Sequence, residues 1–169
     1  MRLLYLLRHA KSSWDDPATE DFDRPLDARG ERAAAAVAVY CRQEGVAPDH
    51  IICSPARRTR MTWARIAAEL PTHGEVIFPK TAYSADPSTL IGLMRAAPAG
   101  VRQAMLVGHN PGLQQLAVLL AADRAARDRL SGKLPSGALV ILELDIDDWS
   151  DIHSGVGRLR DFVTPKQLV

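Results

Sequence analysis

The chain has 169 residues, 47% hydrophobic and 24% charged, which fits one soluble globular domain over residues 1–169 rather than a disordered or fibrous chain. Its 21 basic and 20 acidic side chains leave a formal charge of +1, which argues against a nucleic-acid partner. No apolar run approaches the ~20 residues that span a bilayer, so no membrane partner is expected either.

Residues 3–7 form a continuous apolar run, the pattern of a strand buried on both faces. That run is shorter than the apolar core of a signal peptide, about 7–15 residues. Cys41 and Cys53 sit among apolar neighbours and read as two buried thiols, so the expected location is cytoplasmic. A loop rich in Asp, Pro and Ser runs from Ser12 to about Pro25. Asp27 is placed to cap a helix that reaches about Glu44 and stops at Gly45.

Residues 51–53 read as a short strand. Ser54 and Pro55 then open a second helix, with Ser54 as cap and Pro55 in the first turn, ending near Leu70. Residues 76–78 form another short strand, and residues 87–97 a helix started at Asp86. Residues 104–107 form a strand ending at Gly108-His109-Asn110-Pro111-Gly112, where Gly108 and Gly112 suit tight turns. Pro111 begins a helix through about Ala122, and the Arg-rich stretch 122–133 reads as a loop or helix end. Residues 138–144 and 157–163 are two late strands, a hairpin with a long connection. The alternation predicts an α/β fold, a three-layer sandwich whose mostly parallel central sheet is flanked by helices, with an antiparallel edge from the last two strands.

Open parallel sheets place their sites beyond the carboxyl ends of the strands. Two such ends carry histidine, at Arg8-His9 and Gly108-His109, and a third leads into Ser54-Pro55-Ala56-Arg57-Arg58. If these strands are neighbours, two imidazoles and two guanidiniums converge on one crevice. Guanidiniums bind phosphate through paired, charge-assisted hydrogen bonds. A neutral imidazole can attack phosphorus, and a second imidazole can stabilise charge on the transferring oxygens.

These segments resemble the motifs of the histidine phosphatase superfamily, whose fold is phosphoglycerate mutase-like. Arg8-His9-Ala10-Lys11-Ser12 is similar to its Arg-His-Gly motif, and residues 54–62 (SPARRTRMT) to its Ser-Pro-x-x-Arg-x-x-x-Thr helix start. In that alignment Arg58, not Arg57, binds phosphate. Gly108-His109-Asn110-Pro111 resembles the second histidine motif, and Arg24-Pro25-Leu26 followed by Gly30 the run into the first helix. Pro135-Ser136-Gly137-Ala138 resembles a late segment of the small SixA-like branch. The resemblance implies a phosphohistidine intermediate on His9, with Arg8, Arg58 and His109 holding the phosphoryl oxygens and Ser12 assisting. It implies no metal and no organic cofactor.

A chain this short leaves little room for the helical insertions that cover the site in larger members. The expected substrate is therefore phosphohistidine on a protein, with a small phosphate ester as the alternative. A non-catalytic phosphate-binding module is the alternative of another class. Two departures bear on this. Ala10 stands where the family has glycine. No Glu general acid appears in residues 82–86; Asp86 is the nearest carboxylate there, with Asp15, Asp16, Asp21 and Asp23 of the first loop as rivals.

The remaining polar residues have plainer readings. Arg57, Arg60 and Arg65 read as a solvated helix face, and Lys11 as a surface charge. His50, His73 and His153 read as surface histidines without metal spacing. Trp14 either covers a substrate or packs over the first loop.

Overall fold

Leu4 and Leu6 face one side of the first strand, Tyr5 and Leu7 the other, and all four are buried. This two-residue period with apolar side chains on both faces is what a central strand needs. The computed structural model describes residues 1–168. Its strands are β1 (Arg2–Arg8), β2 (His50–Cys53), β3 (Glu75–Ile77), β4 (Gln103–Gly108), β5 (Leu139–Leu144) and β6 (Gly157–Val163). They form one sheet in the order β3-β2-β4-β1-β5-β6. The first four in that order are mutually parallel, whereas β5 runs antiparallel to both β1 and β6. The predicted sandwich and its antiparallel edge are thus the observed ones.

The helices are α1 (Ala28–Gln43), α2 (Arg57–Glu69), α3 (Pro87–Arg95), α4 (Gly112–Leu120), α5 (Arg124–Ser131) and a single turn, α6 (Pro165–Leu168). Val37, Ala38 and Cys41 of α1 and Trp63 and Ile66 of α2 cover the Tyr5/Leu7 face. Met94 of α3, Leu113 and Leu116 of α4 and Leu130 of α5 cover the Leu4/Leu6 face. Each fully buried leucine contributes roughly 1.5–3 kcal/mol from apolar burial. No helix among the described residues is long and apolar enough to cross a membrane.

Asp27 and Asp86 cap α1 and α3, accepting from Gly30 N at 2.7 Å and Thr89 N at 2.8 Å. Caps of this kind stabilise a helix by about 1 kcal/mol. Three expectations need correction. The stretch 122–133 contains a helix, because the Asp123 side chain accepts from Ala126 N and Ala126 and Leu130 supply a narrow buried face. Ser54 does not cap α2, which starts later, at Arg57, with no side-chain cap. His50 is buried at the start of β2 rather than exposed. The thiols of Cys41 and Cys53 are buried as expected, and burial pushes both up to about 12.

Candidate active site

The register of three adjacent strands brings the predicted residues together. Leu7 of β1 pairs with Val107 of β4, which pairs with Cys53 of β2, so their carboxyl ends lie level. The chain leaves these ends at His9, Ser54 and His109. His9 N donates to Gly108 O at 3.1 Å, and Ser54 N to Val107 O at 3.0 Å, which fixes the first residue beyond two of the strands.

His9 is 8% exposed. Its Nδ1 lies 2.7 Å from Ala10 O, an atom that can only accept, so Nδ1 carries the proton. Nε2 is then the nitrogen with the lone pair. Arg58 Nε, which can only donate, points at it from 3.4 Å. Burial, followed by the nearby Arg58 and Arg8 charges, lowers His9 to about 4 despite the hydrogen bond to Ala10. The imidazole is therefore neutral at ordinary pH, the form that can act as a nucleophile.

The ring of His109 lies 5.2 Å from that of His9, centroid to centroid. Its Nδ1 faces Arg58 Nη2 at 3.4 Å and must accept, so Nε2 donates to Ser54 Oγ at 2.7 Å. Ser54, read from sequence as a cap, instead orients this histidine. Burial, then the proximity of His9 and Arg58, lowers His109 to about 3.

Arg58 is 7% exposed and reaches the site from the first turn of α2. Beyond the two imidazoles, its Nη1 donates to Asp21 O at 2.7 Å and its Nη2 to Asp21 Oδ2 at 3.1 Å. Arg8 is half-buried, and its Nη1 donates to Leu134 O at 2.8 Å. Burial, and secondarily Arg58, disfavours its charge.

Two partners were not foreseen. Arg24, 7% exposed, donates to Ser13 O and Asp21 Oδ1 and to the Ser12 hydroxyl, so Ser12 lines the cleft with its oxygen already engaged. Tyr83 donates to Asp21 Oδ2 at 2.5 Å and meets the His109 ring edge-on. The Tyr83 hydrogen bond and the two arginines hold the Asp21 carboxyl down to about 2. Asp21 is thus a permanent anion that spaces Arg24 from Arg58. Only the short Arg-Pro-Leu segment hinted at Arg24, and no local signal marked Tyr83.

The plainer residues fall as follows. Trp14 is 75% exposed and carries Arg24 over its ring, 3.2 Å from the centroid, so it packs on the first loop while lining the cleft. Arg57, Arg60 and Arg65 are exposed on α2. Asp86, the candidate acid, caps α3, and its bonds from Thr89 hold the carboxyl below the usual range. It borders a smaller hollow of about 230 Å³ shared with His109 and Arg58. Gly112 lies in the first turn of α4, where a Cβ would sit 2.0 Å from Ala85 O; close approach, not a turn, requires glycine there. His9, Arg8, Arg58, Ser12, Arg24 and Lys11 all line a cleft of about 840 Å³.

A neutral imidazole with a directed lone pair among three arginines suits attack on a phosphoryl group. Residues 4–77 match the family model of the histidine phosphatase superfamily, branch 1. An uncharacterised protein of Mycobacterium tuberculosis is 32% identical over 164 residues, which span 95% of this chain and 100% of that protein. An uncharacterised chloroplastic protein of Arabidopsis thaliana is 37% identical over 181 residues, covering 99% of this chain and 80% of that one.

Among solved structures, the proposed phosphohistidine phosphatase SixA of Agrobacterium tumefaciens is 29% identical, with a TM-score of 0.84 over 97% of this chain and 98% of that one. The proposed SixA of Nakamurella multipartitia is 27% identical, with a TM-score of 0.86 over 97% and 96%. The chain belongs to the histidine phosphatase superfamily, in its SixA-type branch, and is a phosphatase.

Proposed function

We propose that the chain removes phosphate from phosphohistidine on proteins, through a phosphoryl group carried transiently on His9. The observation that carries this reading is the His9 tautomer: Nδ1–H is held by Ala10 O, which leaves the Nε2 lone pair facing the arginine-lined cleft. Nε2 attacks phosphorus, a P–Nε2 bond forms, and the bond from phosphorus to the leaving group breaks. Arg8 and Arg58 hold the phosphoryl oxygens, and His109 gains proton affinity as the dianion approaches. Water then attacks the phosphoenzyme, releasing inorganic phosphate and restoring the neutral imidazole.

Two further observations support a protein substrate. Only residues 78–86 connect β3 to α3, so the polypeptide there is too short for a covering insertion. The SixA relatives carry names that refer to phosphohistidine. The lack of a proton-bearing carboxylate at Asp86 also fits an imidazole leaving group, which departs neutral once its other nitrogen is protonated.

The test is phosphate release from a phosphohistidine-bearing protein and from an activated aryl phosphate, side by side, with EDTA present. Activity on both that survives EDTA and vanishes in His9→Ala is expected, with the protein preferred. Faster turnover of a small phosphate ester would favour the metabolite reading. Binding of phosphorylated ligands without turnover or a trapped phosphoenzyme would leave a phosphate-binding module.

A further inference from the structure

We propose that the cleft beside His9 contains a second, anion-binding subsite that receives an acidic protein surface around the phosphorylated side chain. The inference rests on the protein-substrate reading above and names the chemistry of that substrate's surroundings.

The cleft, at about 840 Å³, extends well past the nucleophile, and four further cations line it: Lys11, Arg29, Lys133 and Lys166. No aspartate or glutamate lines it. Among the described residues, none of the four has a carboxylate within ion-pair reach, whereas Arg24 and Arg58 are both paired with Asp21. The chain as a whole is balanced, 21 basic against 20 acidic residues, so this wall concentrates positive potential that the composition does not.

The four are exposed at their tips but held in place through the backbone around them. Lys11 O accepts from Asp27 N at 3.0 Å, and a Cβ on Gly30 would lie 2.0 Å from that same oxygen, so Arg29 is carried beside Lys11. Leu134 O accepts from Arg8 Nη1 and from Asn110 Nδ2, which fixes neighbouring Lys133 next to the catalytic arginine. Gly137 N donates to His9 O at 2.9 Å, and a Cβ on Gly137 would lie 2.7 Å from Pro165 Cγ, which carries Lys166 to the same rim. Three separate segments thus bring Arg29, Lys133 and Lys166 to the loop that carries His9 and Lys11.

One phosphoryl group already has Arg8 and Arg58. Three of the four are lysines, mobile point charges suited to an array of carboxylates of variable position rather than to bidentate capture of one more group. That is the chemistry of an acidic protein surface, which such a field also steers into contact.

Two phosphohistidine peptides of equal length test this, one flanked by aspartates and one by serines. We would measure kcat/KM for both with the wild type and with Lys133→Glu/Lys166→Glu. The wild type is expected to prefer the acidic peptide by about tenfold at low salt, with the ratio shrinking as salt rises and falling to about one or below in the double variant. Equal kcat/KM in the wild type overturns the subsite. A preference that survives the double variant overturns its assignment to this wall, and pyrophosphate consumed faster than the acidic peptide overturns a protein surface as its occupant. If neither peptide is turned over, the phosphohistidine reading fails separately. Fluorescence anisotropy of both peptides on His9→Ala then decides the subsite: tighter acidic binding sustains it, and equal binding overturns it.

Discussion

The Ala10 amide donates to Thr62 Oγ1 at 3.0 Å, and the same hydroxyl donates to Arg58 O at 2.8 Å. One buried hydroxyl therefore ties the residue after His9 to the helix turn that bears Arg58. Both sides of the site take their spacing from it. Thr62→Val keeps the shape but leaves the buried Ala10 N–H unpaired, at a cost of about 1–3 kcal/mol. Loss of the tie should also reduce kcat about tenfold or more, since small misplacements of reacting groups are expensive. Thr62→Ser should restore both. Urea denaturation together with aryl phosphate kinetics checks this, and an unchanged kcat in Thr62→Val would remove the positioning role.

Ala10, which stands where the family has glycine, is absent from the lining of the cleft. Its methyl is fully buried in a small apolar cluster with Leu26 and Ala34, packed by Met61. Ala10→Gly should therefore lose about 1 kcal/mol, from one buried methyl and the freer unfolded backbone, with no gain in kcat. Thermal denaturation and a turnover assay report the two quantities.

The pH dependence follows from the two neutral imidazoles. His9, lowered to about 4, stays a neutral imidazole well below the ordinary histidine value of 6.5. An NMR titration of its ring should show a midpoint near 4, and a midpoint near 6.5 would contradict the buried neutral form. The stability effect has a definite sign. Below pH 6.5 the unfolded chain takes up protons that the folded site refuses, so each such group destabilises the fold by up to about 1.4 kcal/mol per pH unit. That loss begins near 6.5 and levels off at about 4 for His9. Urea midpoints should fall between pH 7 and pH 5, and fall less in His9→Asn.

Asp86 is engaged as the cap of α3, so Asp86→Asn is expected to be mild. Asparagine caps about as well as aspartate, and kcat on a poor alkyl leaving group should change less than about twofold. Removal of a true general acid would cost roughly 10²–10⁴-fold. Comparing alkyl and aryl phosphates in wild type and variant separates these outcomes.

Much of this protein could be read locally. A continuous apolar run marked the first central strand, aspartates marked the starts of α1 and α3, His9 and His109 stood directly after strand ends, and Arg58 stood in the helix start that follows a third. Such features depend on neighbours within one or two turns, which a sequence displays. Even α5 had its cap in Asp123, but its buried face of Ala126 and Leu130 was too narrow to stand out among arginines. The supporting contacts are of another kind. Tyr83 meets Asp21 across 62 positions, Ser54 meets His109 across 55 and Thr62 meets Ala10 across 52. Each is an ordinary polar residue until the parallel register of β1, β4 and β2 lays the three loops side by side. The candidate site residues His9, His109 and Arg58 were therefore marked by the sequence alone. The proton on His9, the burial that keeps it neutral and the carboxylate that spaces the arginines were decided by tertiary structure, because each depends on atoms brought together from distant segments.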